Sequence, residues 1–332
     1  MVRSSGNPDR RAVLAALAAL ALGPVAARAA GRDRLTVWGM PASPSVVLAR
    51  AVAAGALDGF AASADFDVWK TADQMRAGVV SGAMQLFAAP TYTAANLANR
   101  GAGVRLVNVL TWGLLYVLTA RGATVGRIED LAGKTVLLAA KNDAPDLLTR
   151  LVLRWAGLDP DKDVTLTYAG TSAEAVPLFL TGRADIAILP EPAATAAEFR
   201  ARKDGIDLVR ALDITEVYGA HTGRGPAIPQ AGLAVTDAFL AAHPDAVAAF
   251  AAACVEAGAW VDGHPREAGE LGAASLGLPA PIIEKSLPRF RLNVRSAAAA
   301  RADLELYFQN LMSLSPDFVG GRLPDAGFYW GG

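Results

Sequence analysis

The sequence predicts an α/β protein built from two lobes. Strand-like and helix-like segments alternate from Leu35 to about Val235, and the alternation starts afresh after Thr119. Strand–turn–helix units in series imply largely parallel sheets with helices on both faces. Size permits two such units, since 332 residues suffice for one large or two medium domains.

Leu35 to Trp38 reads as a strand, Pro41 to Ser45 as a turn and Val46 to Ala54 as a helix. Phe66 to Trp69 is a second strand before a helix from Thr71 to Val80, with Asp73 near its start. Gln85 to Ala89 is a strand running through Pro90 to Thr93 into a helix ending at Asn99. Val104 to Val109 and Leu114 to Thr119 are further strands. In the second unit Thr135 to Ala139 is a buried strand. Asn142 to Asp146 then opens a helix that stops at Ala156-Gly157. Val164 to Tyr168 and Ala184 to Leu189 are strands around a helix from Ser172 to Thr181, and Pro190-Glu191-Pro192 starts another helix. From Thr236 the pattern is mainly helical, with helices over Asp245 to Val261, Pro265 to Leu276, Pro281 to Leu287 and Ala297 to Leu311.

Composition removes several function classes. Lys and Arg number 31 against 32 Asp and Glu, so no basic excess points to nucleic acid. The single cysteine, Cys254, excludes an internal disulfide and any multi-thiolate metal site. His221, His243 and His264 lack the short spacings of zinc motifs. No Gly-x-Ser-x-Gly elbow, P-loop or His-Glu-x-x-His occurs, and no cofactor is expected.

Residues 1–29 read as an export signal. Arg10-Arg11 precede an Ala/Leu run to Leu22, and Ala27-Arg28-Ala29 has the small-x-small form of a cleavage site. The run is shorter than the ~20 residues that span a bilayer, and the paired arginines resemble a twin-arginine signal. A general secretory signal is the competing reading. Cleavage after Ala29 removes four arginines and one aspartate, leaving a mature charge near −4. No later segment is expected to cross a membrane, and the mature chain is placed in the periplasm.

The order of short motifs carries a family resemblance. Asp130 to Val136 (DLAGKTV), Ala156 to Pro160 (AGLDP), Gly182 to Pro192 (GRADIAILPEP) and Phe239 to Phe250, with Trp260 following, stand in sequence behind the signal. This arrangement resembles the nitrate/sulfonate/taurine (NitT/TauT, SsuA/THI5-like) family of ABC-transporter periplasmic substrate-binding proteins, over essentially the whole mature chain. The resemblance implies the type II periplasmic binding protein fold, with two α/β lobes and a ligand cleft between them. Lobe one would span residues 35–119 plus 225–332, and lobe two residues 120–224. It also implies capture of a small solute and delivery to an inner-membrane permease with its ATPase, as a monomer without catalysis. The ligand must be argued from the site.

In open α/β sheets ligands sit at strand carboxyl ends beside helix N-termini. Pro41 to Ser45, Pro90 to Thr93, Lys141 to Asp146 and Gly170 to Ser172 have that placement. The candidates are therefore Ser43, Ser45, Thr91, Tyr92, Asn142, Thr171 and Ser172, although hydroxyls at helix starts also serve as plain N-caps. Asp143 reads as such a cap, and Asp146 is either a first-turn residue favourable to the helix dipole or a candidate cleft carboxylate, which would favour a cationic, neutral or hydroxylated solute. Trp69 and Trp112 are candidate aromatic walls, with Gly113 breaking the strand beside Trp112, while Trp38 fits core packing. Glu191, between two prolines, would contact ligand or hold the hinge. Lys70, Lys141 and Arg224 are the cations for an anionic ligand.

Three other readings compete. A hard metal ion could use Asp143, Asp146, Glu174 and Glu191. A ligand sensor would use the same fold. An enzyme like the pyrimidine synthases of thiamine biosynthesis fits poorly with one cysteine and an export signal.

Overall fold

The structure is a computed structural model that describes residues 34–331. The export signal expected at residues 1–29 lies outside the described residues.

Two sheets divide the chain. The first holds β1 (Leu35–Gly39), β2 (Ala64–Val68), β3 (Leu86–Pro90), β4 (Val104–Thr111), β10 (Ala231–Thr236) and β11 (Leu292–Ser296), in the order β11-β4-β10-β3-β1-β2. The second holds β5 (Leu115–Ala120), β6 (Thr135–Leu138), β7 (Thr165–Tyr168), β8 (Ile186–Pro190) and β9 (Leu208–Asp213), in the order β7-β6-β8-β5-β9. The chain crosses between them twice, at residues 112–114 and again before β10.

The strand Leu114 to Thr119, assigned from sequence to lobe one, pairs instead with β8 and β9 in the second sheet. The sheets are also mixed rather than largely parallel. β1, β2 and β3 run parallel, as do β6, β7 and β8, but β10 and β5 are antiparallel to their neighbours. The crossovers explain this. A chain arriving from the other lobe enters its new sheet at the cleft end and must run away from the cleft, against strands that run towards it.

Helices follow the parallel strands and start at the cleft. α1 (Pro44–Ala53), α2 (Ala72–Val80) and α3 (Thr91–Asn99) follow β1, β2 and β3. α4 (Ala144–Trp155), α5 (Ser172–Leu180) and α6 (Ala193–Asp204) follow β6, β7 and β8. Local chemistry sets several of these starts: Thr71 accepts from Gln74 N and Thr171 from Glu174 N, satisfying free N–H groups of the first turn. α4 buries Leu147, Leu148, Leu151 and Val152 on one face, the spacing expected of an amphipathic helix.

α7 (Ile214–Thr222) follows β9. α8 (Asp237–Ala242), α9 (Pro244–Gly263), α10 (Pro265–Leu276), α11 (Ala280–Ser286) and α12 (Arg301–Met312) complete the chain. By length and composition α9 is apolar enough to cross a membrane, against the expectation that no later segment is. It is a core helix here, burying Val247, Phe250, Cys254 and Val261 in the apolar cluster that includes Val46 and Leu48 of α1.

The lobes are packed together as well as tethered. One apolar core contains Phe87 and Leu106 of the first sheet with Leu138 and Ile188 of the second. α12 lies against α4 and α7: Asn310 Nδ2 donates to the Tyr218 hydroxyl at 3.1 Å, and Arg154 Nη1 to Ser313 O at 3.2 Å. Near the crossovers Arg289 reaches Glu198 at 2.8 Å and Arg291 reaches Asp213 at 2.8 Å.

Candidate functional site

A cavity of about 390 Å³ lies between the two sheets, at the cleft ends of the strands. Five helix starts border it. Pro41 and Ala42 precede α1, Thr71 and Ala72 begin α2, and Tyr92 and Thr93 lie in the first turn of α3. Asn142 to Pro145 bring in the start of α4, and Gly170 to Ser172 that of α5. Helix N-termini present N–H groups and positive potential, so their convergence favours a ligand with anionic character.

Side-chain charge points the same way. Lys70, Arg76 and Lys141 line the cavity against a single carboxylate, Asp143. Arg76 pairs with Asp73 at 3.2 Å. Among the described residues Lys70 and Lys141 have no ion-pair partner.

Of the residues singled out from sequence, Trp69, Tyr92, Asn142, Thr171 and Ser172 line this cavity. Trp69 is held by a hydrogen bond from Nε1 to Ala88 O at 2.9 Å, which fixes the ring as a wall. Tyr92 donates its hydroxyl to Asp143 Oδ1 at 3.1 Å. This bond crosses the cleft from α3 to the cap of α4. Burial and the adjacent Asp143 carboxylate both push the Tyr92 phenol well above its ordinary value, so it stays a donor. Asn142 takes a left-handed backbone, φ 61°, a conformation that asparagine tolerates better than most residues.

The other six lie off the cavity, each committed elsewhere. Ser43 donates to Glu191 O at 3.2 Å, Ser45 to Met40 O, and Thr91 to Pro229 O at 2.5 Å. Trp112 donates through Nε1 to Asn293 O at 2.6 Å and carries Arg295 over its ring. A hydroxyl at a helix start finds a backbone carbonyl in the same turn, in a crossover or in the facing lobe, and nothing in local sequence separates that fate from ligand binding. Asp146 corrects the expectation of a cleft carboxylate. It is fully buried, accepting from Asn142 N at 2.8 Å, Arg150 Nε at 2.9 Å and the Tyr168 hydroxyl at 2.9 Å. The argument for a non-anionic solute therefore loses its basis.

Glu191 is likewise fully buried, bound by Thr195 and paired with Arg210 at 2.8 Å. Burial raises its carboxyl, and Arg210 works against that rise. Arg224 does not line the cavity. Among the described residues no three His, Cys, Asp or Glu side chains group as a metal site. Asp146 and Glu191, two of the four carboxylates weighed for a hard cation, are spent in separate ion pairs.

Some polar lining residues, Arg76 and Gln230 among them, had no sequence signal. Gln230, in the second crossover, is 5% exposed, and its Oε1 is buried without a hydrogen-bond partner. It stands in an irregular segment with no motif around it, so only the fold brings it to the cavity.

Two α/β lobes, two crossovers and a cavity at the junction define the class of two-lobed periplasmic binding folds. Within it, the chain belongs to the NMT1-like family, whose model matches residues 41–276. Solved structures agree on the fold. An ABC transporter of Parabacteroides distasonis superposes with TM-score 0.73 at 24% identity, covering 90% of this chain and 99% of that one. The periplasmic aliphatic sulphonate binding protein SsuA of Escherichia coli gives 0.67 at 21%, covering 89% and 92%. The periplasmic nitrate-binding protein NrtA of Synechocystis PCC 6803 gives 0.63 at 13%, covering 87% and 84%. No curated protein matches the sequence significantly.

Proposed function

We propose that this protein is the exported solute-binding component of an ABC importer, which captures a small organic solute of anionic character between its lobes and presents it to a permease. The observation that carries this reading is the cavity of about 390 Å³ between two sheets that the chain connects by two crossovers. A volume of that size suits an organic molecule and is far more than one small inorganic ion fills. Membership of the NMT1-like family and the names of the sulphonate- and nitrate-binding neighbours support the transport role. The lining charge supports the anion.

In this reading the lobes are residues 35–111 with 231–331, and residues 115–222. They hinge at the crossovers, and the protein acts as a monomer that returns its solute unchanged. Residues 1–29 direct export and are removed near Ala29. Trp69, Tyr92, Asn142, Thr171 and Ser172 bind ligand, with Lys70 and Lys141 supplying charge.

The test is a thermal-shift screen of residues 30–332 against sulfonates, carboxylates, pyrimidines, amines and metal ions, followed by small-angle scattering. A solute at a hundred times its Kd should stabilise the fold by about 2.7 kcal/mol and compact it. If no solute in any class stabilises or compacts the protein, the reading fails.

A further inference from the structure

The cavity is not uniform along its length, and the strand order shows how its chemistry is laid out. In the first sheet Gln230 stands at the cleft end of β10, and Lys70 follows the end of β2, with β3 and β1 between them. At a strand spacing of about 4.8 Å those two positions are roughly 14 Å apart. The second sheet repeats the gradient. Leu114 and Leu115 stand at β5 beside the crossovers, Pro190 ends β8, and Lys141 follows β6.

The crossover end of the cavity is therefore neutral and buried, and the far end is cationic and exposed. An anion pushed to the crossover end would lose its water with no cation to replace it, a large penalty. The same end holds Gln230, whose side-chain oxygen Oε1 is buried without a hydrogen-bond partner. A buried carboxamide needs both a donor and an acceptor from its partner, whichever way the amide is turned. A ligand group that offers a donor and an acceptor side by side satisfies it, and an amide or lactam does this without charge.

We propose that the solute is an elongated molecule with two unlike ends: a neutral amide-type group read by Gln230 at the crossover end, and an anionic group held by Lys70 and Lys141 at the other. This rests on the solute-binding reading above and adds the direction in which the solute lies. Leu115 at the crossover end and Trp69 at the cationic end offer apolar wall to a carbon chain.

Calorimetry on residues 30–332 tests this with ω-amido carboxylates and ω-amido sulfonates of four to eight carbons. Each is compared with the alkyl acid of equal length lacking the amide and with the amide lacking the acid. At least one ω-amido acid should bind about tenfold or more tighter than both of its single-ended counterparts. Gln230→Leu should bring that compound down to the affinity of the plain alkyl acid, and Lys70→Gln with Lys141→Gln to that of the plain amide. The wild-type comparison needs no variant to fold.

Tightest binding by a plain alkyl acid or by nitrate, unaffected by Gln230→Leu, overturns the inference and leaves the solute-binding role standing. Failure of every ω-amido acid to bind overturns it as well. The broader screen described above judges the transport role separately.

Discussion

Asp146 lies in the first turn of α4 and carries no exposed surface, yet its carboxylate has a backbone N–H, a guanidinium and a phenol as partners. Such a group holds the β6–α4 turn in shape, since the N–H it accepts belongs to Asn142 at the cavity wall. Asp146→Asn keeps the shape and removes the charge facing Arg150. The fold should lose about 2–4 kcal/mol in urea titration, towards the lower end because Asp161 still pairs with Arg150 at 2.8 Å. Loss of affinity with no loss of stability would restore Asp146 to the cleft. Glu198 gives a second expectation at this scale. Burial raises its carboxyl, but hydrogen bonds and charge from Arg210 and Arg289 outweigh that and hold it below the ordinary 4.5. The depressed value makes the group stabilising above about pH 4.5, and the contribution disappears as pH falls through the folded value. Glu198→Gln should therefore melt below wild type at pH 7 and converge with it in acid, and parallel melting curves across that range would contradict the assignment.

At the scale of elements, the crossovers decide more than the helices do. They reverse β5 and β10 within their sheets, bring Gln230 to the cavity and leave Gly113 where no other residue fits. Gly113 has φ 136°, and a Cβ there would clash with the Thr215 side chain of α7. Gly113→Ala should cost about 2 kcal/mol or more from strain and overlap, and calorimetric unfolding should report it. A neutral result would mean that the crossover relaxes freely. The same short connections account for elements that sequence patterning passed over: β9, α7 and β11 each join the fold beside a crossover. Their side chains, such as the half-buried Leu208 to Asp213 run, follow neither clean alternation nor a helical stripe.

For the whole molecule, closure is the property that matters. The Tyr92 hydroxyl and the Asp143 carboxylate form a direct side-chain bond across the cleft, while α12 and the Arg289 and Arg291 pairs hold the lobes elsewhere. Tyr92→Phe removes one hydrogen bond to an exposed carboxylate, worth about 1 kcal/mol, from the closed form. The free protein should shift to a larger radius of gyration in scattering and bind its solute several-fold more weakly. An unchanged radius together with unchanged affinity would show that the bond does not bias closure.

What the sequence determined alone was the α/β grammar, the repetition of the unit, the helix starts at the cleft and the order of motifs shared with a family. All of these are local: apolar spacing, Pro and Gly stops, and caps such as Thr71 and Asp143 act within a few residues of themselves. Only the tertiary structure decided which of the cleft-end residues face the cavity. Ser43, Thr91 and Asp146 have the same local placement as Tyr92 and Asn142, but their polar atoms are taken up by Glu191 O, Pro229 O and Arg150. Those partners stand 148, 138 and 4 positions away. Two of the three contacts are long-range, and even the nearest depends on which way α4 turns towards the sheet. Gln230 shows the converse, a residue without any local pattern that the return crossover carries to the cavity wall. Chain direction at the crossovers is a property of the packed lobes, so the address of the ligand is written there and not in any one segment.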